Sequence, residues 1–196
     1  MNRSDWRALL EAWSAQVVKR TAADPLPGPL SGLGAPGATE AEVAATETRL
    51  GCALPASYRE FLLCTNGLRQ PREYVAGRGG HFWPASQVDW FRARNSEWIT
   101  SYSRVRMTIP DQLYFVYGPD QDPVYMRNEY LPDVLELSHD GDAGVYLLNP
   151  KVVGPDGEWE AWFFANWLPG ANRYRSFAEL MRAHHEEFLS RDLEGF

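Results

Sequence analysis

The chain has 196 residues, a hydrophobic share of 44% and a formal net charge of −7. This size and composition are typical of one soluble globular domain with an extension. The acidic balance argues against a broad affinity for nucleic acid or anionic membranes, which attract basic surfaces, and leaves basic proteins as candidate partners.

Two further features favour a cytoplasmic protein. Cys52 and Cys64 are too few for a disulfide framework, so we expect two reduced thiols, although their positions leave a bridge open. No apolar run approaches the ~20 residues that are needed to span a bilayer, and the N-terminus lacks the charged-then-apolar pattern of a signal peptide.

The first predicted element is an amphipathic helix that Ser4 can cap. A run rich in proline and glycine, Pro25–Gly37, follows it and suits neither a helix nor a central strand. The sequence therefore predicts a helix with a linker at residues 1–38 and a single domain at residues 39–196. The apolar face of the helix contains Trp6, Leu9, Leu10, Trp13 and Val17.

The next stretch predicts two helices that meet in a tight hairpin. The first begins at a capping box of Thr39 and Glu42 and ends at Gly51. The second begins at Leu54 and Pro55, because proline suits the first turn of a helix. Its predicted buried face consists of Tyr58, Phe61, Leu62 and Thr65. Its predicted left-handed end is at Asn66 and Gly67.

The second half of the chain predicts a sheet and a closing helix. A short strand at His81–Pro84 and a helix capped by Ser86 come first. Short β-branched and aromatic runs between turn residues then predict an antiparallel meander, with strands at Leu113–Tyr117, Val134–Ser138, Gly144–Asn149 and Glu158–Trp167. Ser176 and Glu179 form a second capping box, before a helix whose apolar face contains Phe177, Leu180, Met181, His184, Phe188 and Leu189. This order indicates an α+β fold, a mostly antiparallel twisted sheet with helices packed against it.

No pattern predicts a catalytic set, a cofactor site or a metal site. His184-His185 lacks the i, i+4 histidine pair of a zincin helix, and no Cys/His set has zinc spacing. Asp140–Gly144 lacks the third acid of a calcium loop, and the twelfth position is Lys151 instead of Glu. Ser138-His139-Asp140 alternate between strand faces and cannot form a triad. Cys64 with a distant histidine stays open, with a structural thiol as the simpler interpretation.

The acids between Asp111 and Glu160 are the clearest asymmetry of the sequence. Eleven acids lie there against Arg127 and Lys151, a net −9, which exceeds the −7 of the whole chain. Two interpretations stay open: a solvated sheet edge with acidic turns, or an acidic docking surface that steers and orients a basic partner. The candidate partner-binding residues are Asp111, Asp120, Asp122, Glu129, Asp133, Asp140, Asp142, Asp156 and Glu158.

The order of these motifs resembles the SUKH superfamily, which includes bacterial immunity proteins and fungal cell-wall-synthesis regulators. The leading motif is Leu54-Pro55-x-x-Tyr58-x-x-Phe61-Leu62 followed by Asn66-Gly67. Phe82-Trp83-Pro84, Gly144–Leu148 and Ser176-Phe177-x-x-Leu180 resemble the family's short strand, central strand and closing helix. The resemblance runs from Thr39 to Leu189, leaves the N-terminal helix outside, and is weakest between Asn95 and Asp133.

The resemblance implies a protein that binds and neutralises a toxin, often a nuclease or deaminase, without catalysis of its own. We therefore expect a cytoplasmic immunity protein whose acidic region occludes a basic toxin that processes nucleic acid. It implies no cofactor and no direct contact with nucleic acid or membrane. The alternative is a regulatory or scaffolding module like the fungal relatives, and an undetected hydrolase is the third interpretation.

Overall fold

The structure is a computed structural model that describes residues 1–21, 34–68, 81–104, 107–138 and 143–190. Its helices are α1 (Arg3–Thr21), α2 (Glu40–Leu50), α3 (Ala56–Cys64), α4 (Ser96–Ser103), α5 (Asp111–Tyr114) and α6 (Phe177–Ser190). Its strands are β1 (Asp89–Trp90), β2 (Leu135–Glu136), β3 (Gly144–Val153), β4 (Trp159–Ala165) and β5 (Ala171–Tyr174). This architecture confirms the predicted α+β class, with an antiparallel sheet, a helical hairpin of α2 and α3, and a C-terminal helix.

The sheet is an antiparallel meander in the order β1-β2-β3-β4-β5. Its centre is the pairing of β3 with β4, which sets Gly144 opposite Ala165 and Asn149 opposite Glu160. Because successive side chains of a strand point to opposite faces, these strands supply two separate cores. The first face carries Tyr146, Leu148, Ala161 and Phe163, and the second face carries Val145, Leu147, Trp162 and Phe164.

Helix α3, which contains the central part of the leading motif, anchors the first face of the sheet. Tyr58, Phe61 and Leu62 are fully buried, as the helical spacing predicts. The ring of Phe61 lies 5.0 Å from Phe177 of α6 and 5.8 Å from Phe82. This aromatic cluster joins α3, α6 and the sheet, and edge-to-face pairs of this kind add stability beyond the area that they bury.

The ends of the helical hairpin follow the local sequence closely. The predicted capping box is present, since Thr39 Oγ1 accepts from Glu42 N at 3.2 Å and the Glu42 carboxylate accepts from Thr39 N at 2.7 Å. The hydrogen bonds that the Glu42 carboxylate accepts from Thr39 N and from Thr39 Oγ1 lower the pKa of the Glu42 carboxyl. Gly51 ends α2 with a φ of +74°, which favours glycine. Pro55 directly precedes α3 and does not lie in its first turn.

Helix α1 packs against α3 and α6. Trp6 is fully buried, and its Nε1 donates to the carbonyl of Ser57 at 2.8 Å. Its ring lies 5.2 Å from Phe61 and 5.5 Å from Phe177. The buried face of α1 consists of Trp6, Leu10, Trp13 and Val17. The division at residue 38 stays a prediction, but these contacts favour a folding unit that includes α1.

Residues 107–133, which we call the cover segment, cover the second face of the sheet together with Phe91 and α4. The cover segment contains α5 and two 3-10 turns, Gly118–Asp120 and Asn128–Asp133. The prediction of a strand at Leu113–Tyr117 is therefore wrong. Pro110 directly precedes α5, and the side chains of Tyr114 and Tyr117 reach down to the sheet. Tertiary contacts here override the β-propensity of the aromatic run.

The prediction of a helix capped by Ser86 is also wrong. The structure has a 3-10 turn at Ala85–Gln87, strand β1, a second 3-10 turn at Phe91–Ala93, and only then α4. The apolar residues of this stretch do not form one helical face, because Val88 belongs to the first core and Phe91 to the second.

Three smaller differences concern the cap of α1, one residue of α6 and strand β5. Asn2, and not Ser4, caps α1, because its Oδ1 accepts from Asp5 N at 3.0 Å. Leu189 is exposed and does not belong to the buried face of α6. Strand β5 has no counterpart among the predicted elements. The predicted turn at Asp140–Asp142, the glycines at 77–80 and most of the Pro/Gly-rich run lie outside the described residues.

Candidate partner-binding surface

The cover segment is fixed to the sheet by a buried carboxylate. Glu160 of β4 is 1% exposed and accepts from Tyr114 Oη at 2.6 Å and from Tyr117 Oη at 2.9 Å. It also accepts from Asn149 Nδ2 at 3.0 Å and from Trp162 Nε1 at 2.7 Å. Burial, and then the charge of Glu160, raise the pKa of both phenols, so both stay protonated and continue to donate.

The cover segment also closes the outer edge of the sheet at β5. The side-chain amide of Gln121 exchanges two hydrogen bonds with the backbone of Arg173, at 2.5 and 2.7 Å, as a neighbouring strand would. The carbonyl of Pro123 accepts from Ala171 N at 3.2 Å. A Cβ at Gly170 would lie 2.1 Å from that Pro123 carbonyl, so the close approach requires glycine. An unpaired edge is a site of aggregation, and this arrangement removes it.

Arg173 of β5 is a buried cation that contacts the cover segment. Its Nη1 donates to the carbonyl of Tyr114, and its guanidinium lies 4.5 Å from the Tyr114 ring. Its Nε and Nη2 atoms are buried and have no hydrogen-bond partner among the described residues. The contacts of Arg173 with Tyr114 and Gln121 hold the first half of the cover segment against β5.

Arg127 organises the outer side of the cover segment. Its guanidinium forms an ion pair with Asp111 and donates to the carbonyl of Ile109 at 2.9 Å. It lies 4.4 Å from the ring of Tyr114 and 5.6 Å from the ring of Phe115. The only basic residue of the cover segment is thus held within it, where it neutralises one acid.

Two of the sequence-predicted acids are engaged with bases. Asp111 pairs with Arg127, and the Asp133 carboxylate lies 2.7 Å from Arg92 Nη1 and 3.0 Å from Lys151 Nζ. Exposed pairs of this kind contribute only ~0–1 kcal/mol to stability. They do reduce the negative charge that these two acids offer to a partner.

Three other predicted acids are exposed and form no ion pair with any residue that the structure describes. They are Asp120, Asp122 and Glu129. The cover segment as a whole has five acids and one base, a net −4. Its uncompensated charge therefore resides on these three side chains.

The remaining predicted acids divide into three cases. Asp156 is exposed in the turn between β3 and β4, where its Oδ1 accepts from Glu158 N at 3.2 Å. Glu158 is buried, and its carboxylate accepts from Ser57 N at 2.8 Å and from Ser57 Oγ at 2.5 Å. It therefore caps the N-terminus of α3 from the position just before β4, and it does not belong to the candidate surface. Asp140 and Asp142 lie outside the described residues.

The surface also contains apolar residues that the sequence interpretation missed. Leu113 and Phe115 are 39% and 45% exposed, on either side of the buried Tyr114. The sequence did not indicate their exposure, because the predicted strand at Leu113–Tyr117 would have placed them in the sheet. The sequence signal for the actual structure is Pro110-Asp111, since an acid after proline is typical of the first turn of a helix.

We also searched the described residues for a metal site and a membrane-spanning helix. The described residues hold no group of three or more His, Cys, Asp and Glu side chains that could bind a metal ion. They also hold no helix that is both long and apolar enough to cross a bilayer. Cys52 and Cys64 are free thiols whose pKa is raised by burial.

The fold and the surface together define an α+β domain whose antiparallel sheet has a packed core on each face and an acidic outer segment. The chain belongs to the SMI1 / KNR4 family (SUKH-1), whose family model matches residues 37–190. This match confirms the resemblance that the motifs predict, and it leaves α1 outside the matched region. No curated protein is similar enough in sequence to count as a match.

Proposed function

We propose that this protein is a cytoplasmic immunity protein, which binds a polymorphic protein toxin and blocks its active site without catalysing a reaction. Two observations support the proposal: the membership of the SMI1 / KNR4 family (SUKH-1), and the charge of the cover segment. The observation that carries it is the set of three exposed acids, Asp120, Asp122 and Glu129, which form no ion pair with the part of the chain that the structure describes.

The chemistry of these acids favours a basic partner that processes nucleic acid. Enzymes that act on nucleic acid bind phosphates with basic side chains. An acidic surface competes for those same side chains and speeds the encounter by long-range attraction. Binding of the cover segment would therefore exclude the substrate from the toxin, by occupation and by charge.

A second candidate function is a regulatory or scaffolding module. The match to the SMI1 / KNR4 family (SUKH-1) supports it, because the SUKH superfamily includes fungal cell-wall-synthesis regulators. In this function the cover segment would bind an endogenous protein of the same cell, and no toxin would be neutralised. The same acidic surface serves both candidates, so only the identity of the partner separates them.

The neighbouring gene and a rescue assay test the proposal. We expect that gene to encode a large secreted protein with a C-terminal toxin domain. Expression of that domain in a host cell should stop growth, and co-expression of this protein should restore it, because the toxin's active site is blocked. Growth curves of the two strains measure the effect.

A toxin domain of the same activity from an unrelated source is the control, and it should kill with or without this protein. Absence of a toxin gene beside this one, or toxicity that co-expression leaves unchanged, would contradict the proposal. Stable association with an endogenous protein would then favour the regulatory candidate.

A further inference from the structure

Exposed large apolar side chains are concentrated on the cover segment. Of the seven in the described residues, three lie within nine positions of the chain: Met107, Leu113 and Phe115. The other four are Val18, Val153, Trp167 and Leu189. Single exposed apolar residues are normal on a soluble protein, whereas a concentration rimmed by polar groups marks an interaction site.

Phe115 is held in place although almost half of it is exposed. Its ring packs edge-to-face on Tyr114 with centroids 5.0 Å apart, and the Arg127 guanidinium lies 5.6 Å from it. Tyr114 is itself fixed through Glu160, and Arg127 is fixed by Asp111. An aromatic side chain that is ordered before binding loses little entropy on binding, which is a property of anchor residues in interfaces.

The charge of the cover segment determines which partners can bind to the apolar patch of Leu113 and Phe115. The cover segment has a net charge of −4, so it repels a second copy of itself, nucleic acid and anionic membranes. A protein with a basic surface is attracted instead. Interfaces typically place aromatic residues at a desolvated centre and charged residues at a wet rim.

We propose that Phe115, with Leu113 beside it, is the apolar anchor of the partner interface, and that it enters an apolar pocket on a basic protein surface. This inference rests on the proposed function. The acids Asp120, Asp122 and Glu129 then form the polar rim and govern how fast the partner arrives. Phe115 governs how long the partner stays.

Binding kinetics with the toxin domain encoded beside the gene test the inference. Phe115→Ala should raise the dissociation rate about thirtyfold or more, the range of a hot-spot truncation. The association rate should change less than about twofold, because no charge is altered. Leu113→Ala should raise the dissociation rate by a smaller factor of about five, and it provides a second variant of the same patch.

Trp167→Ala is the matched control, because Trp167 is 46% exposed and its ring packs on Phe163 of the first core, in the turn after β4. It should leave the association and dissociation rates unchanged.

If the wild type binds the toxin domain and both Phe115→Ala and Leu113→Ala dissociate like Trp167→Ala, the assignment of Phe115 as the anchor is wrong and the proposed function stands. If the wild type does not bind, the proposed function fails and the anchor with it. A wild-type dimer that Phe115→Ala converts to a monomer would assign the patch to a second copy and overturn the inference.

Discussion

Replacement of Trp6 with alanine should lower the free energy of unfolding by ~3–5 kcal/mol, the usual cost of truncating a buried tryptophan. Trp6 is fully buried between Phe61 and Phe177, and its indole N–H donates to the Ser57 carbonyl. The variant loses apolar burial, two aromatic contacts and one hydrogen bond. Urea denaturation, followed by far-ultraviolet circular dichroism, measures the change.

The control for this experiment is Glu11→Ala, because Glu11 lies on the same helix and is exposed. Its effect should stay within ~0.5 kcal/mol. Equal midpoints for the two variants would mean that α1 does not contribute to the stability of the domain. The predicted division at residue 38 would then gain support over a folding unit that includes α1.

Replacement of Glu160 with alanine should also cost several kcal/mol, because each buried donor that loses its acceptor costs ~1–3 kcal/mol. Four donors converge on this carboxylate, from Tyr114, Tyr117, Asn149 and Trp162. Each buried donor that is left without a partner costs free energy. Because two of the donors belong to the cover segment, amide hydrogen exchange should accelerate more in residues 107–133 than in α3.

Tyr117→Phe is the matched comparison, because it removes a single donor and leaves the carboxylate in place. It should cost only ~0.5–1.5 kcal/mol, the net value of one hydrogen bond. A Glu160→Ala variant no less stable than Tyr117→Phe, with unchanged exchange in the cover segment, would show that Glu160 does not hold the segment.

The helical hairpin could be predicted because its signals are local. The reciprocal bonds of Thr39 and Glu42 depend on residues three positions apart, and Gly51 ends α2 in the backbone conformation that glycine tolerates best. The burial of Tyr58, Phe61 and Leu62 follows from their spacing on one helix. Each of these features is encoded within a few residues of where it acts.

The cover segment could not be predicted because its structure depends on distant partners. Leu113–Tyr117 has the composition of a strand, but Tyr114 and Tyr117 donate to Glu160, more than 40 positions away. Strand β5 has no β-branched residue, and its edge is completed by Gln121 and Pro123. Contacts of this range leave no periodic pattern in the sequence.

The candidate surface was predictable in its charge but not in its composition. The sequence shows the excess of acids, yet it does not show that Asp133 pairs with Arg92 and Lys151, or that Glu158 caps α3. It also assigns Phe115 to a strand. Within the cover segment, the structure therefore leaves three exposed acids without an ion pair to any described residue, and it adds exposed apolar side chains on the same segment.

The most direct test of the account is the rate at which this protein associates with the toxin domain encoded beside its gene. We predict that the triple variant Asp120→Lys, Asp122→Lys and Glu129→Lys associates at least about tenfold more slowly and loses most of the salt dependence of that rate. The control triple variant Glu11→Lys, Glu97→Lys and Glu186→Lys changes the net charge equally at exposed positions outside the cover segment. It should associate at nearly the wild-type rate, whereas equal rates for the two triple variants would contradict an acidic binding surface on the cover segment.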